Sequence, residues 1–472
     1  MKVIIENIGV FKYAEYDLAD LTIICGKNNT GKTYATYCLY GFLDYFRNGY
    51  YINISPKMIA KLMEEGFLSI DLSITQKAID TYLQDACNMY LKFLPRIFAA
   101  QDKYFADSKI RISVNVKELS IPESFEHSYR TNKKEFLQIV KVKEKNELLI
   151  SMLLKDEDYN SNASLRLTLT RIIGDALKEL YFSNIFKECF IASAERTGAV
   201  IFKDELNVQK NTLLREVAHA DDIDLEDIMN KIYNTAYALP VRRNIDFIRN
   251  LDSISKKDGE LCKNHPEILS EFQNIVGGTY KASKEGLFFY PNTTKTTKLS
   301  IGESASSVRS LLDVFFYLKH VAKPGHILMI DEPELNLHPA CQRKFARLLA
   351  KLVNYGIQVF ITTHSDYIIK EFNTLIMFNT RRDNERVVEL MNKYDYQNSE
   401  LLSPSQIKMY ISRKDKKLLE GNLRKTTIQT LVPAIVNTAF GIEAISFDDT
   451  IKEMNTIQET IMFSDYGSTD AL

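Results

Sequence analysis

Residues Gly26-Lys27-Asn28-Asn29-Thr30-Gly31-Lys32-Thr33 match the pattern G-x-x-x-x-G-K-[ST]. What flanks them constrains the fold more than any other stretch. Upstream, Leu21-Thr22-Ile23-Ile24-Cys25 is a short, β-branched apolar run that reads as a buried strand. Downstream, residues 32–46 read as a helix. Strand, glycine loop and helix in that order is the context in which this pattern cradles a phosphate chain. Gly26 and Gly31 let the backbone curl so that the N–H groups of the loop, through Asn28, Asn29 and Thr30, face the phosphates with the helix N-terminus. Lys32 is then placed to reach the β/γ-phosphates of ATP, and the Thr33 hydroxyl to hold Mg²⁺.

Two further runs end in the chemistry such a loop needs. His326-Ile327-Leu328-Met329-Ile330-Asp331-Glu332 reads as a core strand that delivers two carboxylates to the C-terminal edge of a sheet, where α/β proteins bind ligands. Asp331 is expected on the Mg²⁺ side, and Glu332 beside it, poised to orient and deprotonate water. Gln358-Val359-Phe360-Ile361-Thr362-Thr363-His364 reads as another buried strand, and the stretch from Pro339 to Asn354 between the two reads as helical. A right-handed strand–helix–strand crossover makes the two strands parallel and brings His364 out beside Glu332, within reach of a γ-phosphate. The expected class is α/β.

These residues resemble the ABC-type ATPases of the branch that contains the RecF, SMC, Rad50 and OLD proteins. The run D-E-P-E-L-N-L-H-P from Asp331 to Pro339, followed by T-T-H-S, is typical of that branch. The resemblance implies a signature segment that completes the partner subunit's nucleotide site. The best match is Leu299-Ser300-Ile301-Gly302-Glu303-Ser304-Ala305-Ser306-Ser307, opening a helix to about Ala322. It departs from L-S-G-G-Q, so either Ser300 with Gly302 or Ser306 with Ser307 could make the contact; the group from Ser304 to Ser307 is favoured. Phe190 to Arg196 resembles a strand end that carries a Glu-Arg pair near the nucleotide, and Val276-Gly277-Gly278 with Tyr280 to Pro291 resembles the strand pair before the signature.

The resemblance covers residues 1–50, 190–200 and 275–380, and a P-loop ABC-type ATPase head is expected over 1–50, 190–200 and 275–395. It is split by an insertion, residues 51–189 and 201–274, that reads as largely helical: Pro56–Phe67, Thr75–Ala99 and Arg171–Phe186, with strand-like runs at Lys109–Val114 and Leu165–Thr170. No heptad pattern persists long enough for a coiled coil. The segment 396–472 reads as a helical extension for partner binding or oligomerisation. Strands are expected near Leu375–Asn379 and Val387–Met391, and helices near Pro404–Ile411, Thr426–Thr438 and Asp448–Phe463. No D-x-D follows His364, so a TOPRIM nuclease of the kind OLD proteins carry there is not expected.

Length, a serine-rich signature and the Glu195-Arg196 element look like the ATPase subunits of PARIS-type anti-phage systems. That likeness implies a homodimer that builds a larger homo-oligomer, a separate TOPRIM nuclease and a phage trigger protein. Septu and retron-associated ATPases, which carry a separate HNH nuclease, a RecF-like repair ATPase that clamps duplex DNA, and an OLD-like ATPase-nuclease with a degenerate nuclease tail are the alternatives. A patch with Lys408, Arg413, Lys414, Lys416, Lys417, Arg424 and Lys425 against Asp415 and Glu420 suits nucleic acid or a solvated face.

Composition narrows the setting. Lys and Arg total 60 against 61 Asp and Glu, a net charge of −1 that argues against a polycationic nucleic-acid binder. No apolar run approaches the roughly 18 residues that span a bilayer, and the N-terminus lacks the apolar core of a secretory signal. The six cysteines include no C-x-x-C pair, as expected of reduced thiols in cytoplasm.

Overall fold

The computed structural model describes residues 1–131, 134–153, 163–201, 237–283, 285–294, 297–419, 424–438, 441–442 and 453–460. The start of the chain builds a hairpin, β1 (Lys2–Ile8) and β2 (Phe11–Asp17), which feeds β3 (Leu21–Cys25). The glycine loop follows, then the helix Lys32–Asn48.

The inserted segment holds β4 (Phe67–Asp71), β5 (Lys109–Ser113), β6 (Phe125–Thr131), β7 (Lys134–Lys141) and β8 (Glu147–Met152). Strand β5 pairs with β1, while β4, β8, β7 and β6 form an antiparallel sheet in that order. The insertion is therefore mixed rather than largely helical: the helices Pro56–Glu65, Gln76–Leu91 and Ala163–Phe182 accompany a four-stranded sheet. The expected strand at Leu165–Thr170 is part of the last of these helices. Its alternating leucines suggest a strand, but Leu167 is exposed and the buried set is Leu169, Ile173, Leu177 and Leu180, a helical spacing. The stretch 221–227, whose acidic residues read from the sequence as a solvated face, lies outside the described residues.

The head continues with β9 (Cys189–Ala192), the hairpin β10 (Gly278–Ser283) and β11 (Gly286–Pro291), β12 (Leu299–Ser300), β13 (Ile327–Asp331) and β14 (Gln358–Thr363). The helices Leu239–Arg249 and Pro266–Val276, expected with the insertion, pack into the head's own core. The helix expected to run from the 299–307 segment to about Ala322 is broken at Leu311 into Ser306–Ser310 and Leu312–His320.

After His364 the structure departs most from the sequence expectation. Leu375–Asn379 and Val387–Met391 lie in the helices Asp366–Thr380 and Glu385–Lys393. Ser365 caps the first by accepting from the Ile368 N–H, and Ile368, Ile369, Phe372, Leu375 and Ile376 bury one helical stripe. The stretches expected as helices are instead β15 (Ile407–Lys417) and β16 (Thr426–Pro433). Only 453–460 is helical within the third expected helix, the rest of which lies outside the described residues.

The central sheet runs β16-β15-β3-β14-β13-β9, with β15, β3, β14, β13 and β9 parallel and β16 antiparallel at the edge. Both faces are covered. Leu21, Ile23 and Cys25 join Leu328, Ile330, Val359 and Ile361 in one core; Ile24, Ile327, Met329 and Phe360 join the other. That is why these strands read as unbroken apolar runs. Cys25 pairs with Thr363 and Ile411, and Asp331 with Thr362. This register ends β3, β13 and β14 together and sends Gly26, Glu332 and His364 out of one edge, where β15 runs on past Ile411 and carries Ser412 alongside.

Candidate active site

The glycine loop leaves β3 through Gly26 (φ +145) and enters its helix through Gly31 (φ +101). A Cβ at Gly31 would meet Val10 and Phe11 at 2.7 and 2.8 Å, and one at Gly26 would meet the Ser412 carbonyl oxygen at 2.7 Å. Both positions need glycine for space as well as for φ. Lys32 is buried, and its ammonium donates to the carbonyls of Gly26 at 3.0 Å and Lys27 at 3.1 Å. These loop oxygens hold the lysine inside the curl, where it faces the space a phosphate would fill.

Thr33 and Asp331 meet as expected: the hydroxyl donates to Asp331 Oδ2 at 3.1 Å. Thr362 donates to the other carboxylate oxygen. Burial pushes the Asp331 carboxyl up to about 6, against the pull of the two hydroxyls. A hydroxyl and a carboxylate side by side are hard oxygen donors that suit Mg²⁺. The ion typically takes one or two protein oxygens and completes its octahedron with phosphates and water. Among the described residues no cluster of three or more His, Cys, Asp and Glu offers a self-sufficient metal cage. The residues fit a cation brought in with a nucleotide.

Glu332 takes φ +53 immediately after β13. Its N–H donates to the Thr362 carbonyl at 3.1 Å, and its carboxylate lies 3.7 Å from His364 Nδ1. His364 also lies 3.3 Å from Glu334 Oε1, and the same oxygen accepts from the His364 N–H at 2.7 Å and the Thr363 hydroxyl at 2.9 Å. The imidazole beside Glu332 holds that carboxyl below its usual range, and the carboxylates raise His364. Each group thus favours the charged form of the other, and both side chains are partly open to solvent.

The loop from Gly26 to Thr33, Asp331, Glu332 and His364 thus come together at one sheet edge. The signature candidates do not join them. Among the described residues no hydrogen bond or ion pair links Ser300, Gly302, Ser304, Ser306 or Ser307 to the loop. Ser300 exchanges bonds with Glu303, and the buried Ser304 donates to the Ser300 carbonyl at 2.9 Å, which turns its hydroxyl inward. Gly302 and Ser306 are exposed. Sequence reasoning missed Thr362, Glu334, Ser412 and Gln429 as supports of the site. Glu334 was legible as the second acid of D-E-P-E. The last two, which touch the loop from β15 and β16, had no local signal.

A model described as AAA_15, AAA ATPase domain, matches residues 1–369. The chain belongs to that family. Membership implies nucleotide binding and supports ATPase activity in general. No curated protein matches this AAA_15 sequence. Among solved structures it is similar to an Smc head bound to the C-winged helix domain of ScpA, at 9% identity over 91% of this chain and 97% of that one, with a TM-score of 0.31. It is also similar to an Smc head with an extended coiled coil bound to the C-terminal domain of ScpA derived from Pyrococcus furiosus. That match has 12% identity over 97% and 98% of the two chains and a TM-score of 0.31. The family match and the site geometry carry the assignment, not these superpositions. No helix among the described residues is long and apolar enough to cross a membrane.

Proposed function

We propose that this AAA_15 ATPase is the ATP-hydrolysing sensor and scaffold subunit of an anti-phage defence system. It works as an ATP-sandwich dimer that builds a larger homo-oligomer and holds or releases a separate nuclease of TOPRIM or HNH type when a phage trigger protein is sensed. The convergence of Lys32, Thr33, Asp331, Glu332 and His364 carries the hydrolytic part of this reading. In it, loop N–H groups and Lys32 hold the phosphates, Glu332 takes the proton of the attacking water, and charged His364 faces the transferred phosphoryl group. Thr33 and Asp331 would hold Mg²⁺, which supplies neutralisation of phosphate charge. The serines of the partner's signature segment would close the site from the far side. The scaffold part rests on the resemblance, and on one placement: β15 and β16 are spent on completing the ATPase sheet.

Purified Lys32→Ala and Glu332→Gln variants test the site. Lys32→Ala should lose ATP binding. Glu332→Gln should keep binding while turnover falls on the order of 10²-fold or more, the usual loss of a general base. Wild-type turnover in Lys32→Ala would sink the assignment. A co-purified nuclease-like protein would support the scaffold role, and its absence from cells carrying the neighbouring reading frames would count against it.

A second reading, an ATP-driven duplex clamp, draws on the hairpin β15–β16. Arg413, Lys414 and Lys416 are exposed on it, beyond the residues that pair with β3. It requires salt-dependent binding of bare DNA in the presence of ATP.

A further inference from the structure

Arg196 is the largest fully buried side chain of the described core. Its guanidinium donates to backbone carbonyls of three separate segments: Ser310 at 2.6 Å through Nε, Ser193 at 2.8 Å and Asp331 at 2.7 Å through Nη1, and Glu332 at 2.9 Å through Nη2. Burying a guanidinium is costly, and stability alone rarely justifies it. Burial pulls the group below its usual range, while the charges of Asp313, Asp331, Glu334 and Glu332 around it act the other way.

What the fork touches matters more than its number of bonds. Glu332 is in the left-handed region at φ +53, which a non-glycine residue adopts only when its surroundings hold it there. Its peptide is gripped on both sides: Thr362 accepts from its N–H, and Arg196 donates to its carbonyl. The opposite arm of the same side chain holds Ser310, the last residue of the helix Ser306–Ser310. That helix is tied back to the 300–304 turn: Arg309 donates to the carbonyls of Gly302, at 3.2 Å, and Ser304. A second tether runs beside it, as the Ser310 hydroxyl donates to Leu335 O at 3.1 Å and Ser307 O at 3.0 Å. The segment 300–310 and the turn 331–335 are thus joined through the Arg196 guanidinium and the Ser310 hydroxyl.

We propose that Arg196 is a positioning residue that ties the signature segment to the backbone of Glu332, so that the placement of that segment sets the aim of the base. This rests on the reading of Glu332 as the base. A lysine cannot replace the fork, since one ammonium cannot span carbonyls on three segments.

The test is a double-mutant cycle of Arg196→Lys with Glu332→Gln, read by single-turnover ATP hydrolysis, fluorescent-nucleotide binding and thermal melting of the full chain. In the wild-type background Arg196→Lys should slow hydrolysis by roughly 10-fold or more, with nucleotide affinity within about threefold. In the Glu332→Gln background it should slow the residual rate by less than about twofold, because the residue it aims is gone. Equal losses in both backgrounds, or an unchanged rate in Arg196→Lys, overturn the proposal. Wild-type turnover in Glu332→Gln alone overturns instead the assignment of the base. Should Arg196→Lys fail to fold, Ser310→Ala cuts the second tether at lower risk. A loss of about two- to fivefold that vanishes in Glu332→Gln supports the coupling, and a loss that persists there overturns it.

Discussion

Glu332, Glu334 and His364 share one small volume, and their charges are set by one another. With Glu332 held below its usual range and His364 above, the ion pair is complete between the ordinary carboxyl and imidazole values. The sign of the pH dependence follows. His364 has a folded value raised above 6.5, so its stabilisation is full below that value and is lost as pH rises through the raised one. Glu332 has a folded value lowered from 4.5, so its share is present above 4.5 and lost as pH falls through the lowered one. The expected outcome is that His364→Gln melts below the wild type at about pH 6 and that the gap narrows towards about pH 8.5. Melting curves at the two pH values check it; a gap that widens on going alkaline would show that the imidazole is not held by these carboxylates. With the His364 side chain 44% exposed, solvent screening keeps the effect small.

At the scale of elements, the glycine loop is supported by more than its own strand and helix. Ser412 Oγ donates to the Thr30 carbonyl at 2.7 Å and Gln429 Nε2 to the same oxygen at 3.1 Å, from β15 and β16 respectively. Removing both donors in Ser412→Ala/Gln429→Ala leaves that carbonyl short of two partners, at about 1 kcal/mol each. ATP affinity should weaken by roughly 10-fold while the sheet persists; calorimetric titration of the double variant checks this, and unchanged affinity would show that the loop holds its shape alone. These strands also mark what the sequence could not disclose. β3, β13 and β14 were legible because strands buried on both faces read as apolar runs with the functional groups at their ends. β15 is decided by pairing Ile407–Ile411 with Leu21–Cys25, a partner almost the whole chain away, and its second half carries Arg413, Lys414 and Lys416 into solvent. Local periodicity holds no trace of such a partner. Arg196 was visible as a Glu-Arg pair, but its role depends on carbonyls, which no sequence pattern encodes.

For the whole molecule, the feature with the largest consequence is that, among the described residues, no hydrogen bond or ion pair joins the segment 300–307, read from the sequence as the signature, to the glycine loop. If each nucleotide is closed by the partner's segment, defects on the two sides of the interface must complement one another. Lys32→Ala removes the loop's lysine, and Ser306→Arg places a bulky cation at the exposed start of the helix Ser306–Ser310. Each variant alone should be nearly inactive. After mixing and exchange, half the dimers are heterodimers, each with one intact composite site of two, so about a quarter of wild-type turnover should return for a symmetric dimer. ATPase assays on mixtures of varied ratio measure this directly. A mixture no more active than its components, with subunit exchange shown by differently tagged chains, would mean that each chain closes its own nucleotide. The same experiment in Glu332→Gln, which should trap ATP and the closed dimer, would show by light scattering whether ATP alone drives the assembly on which the scaffold role depends.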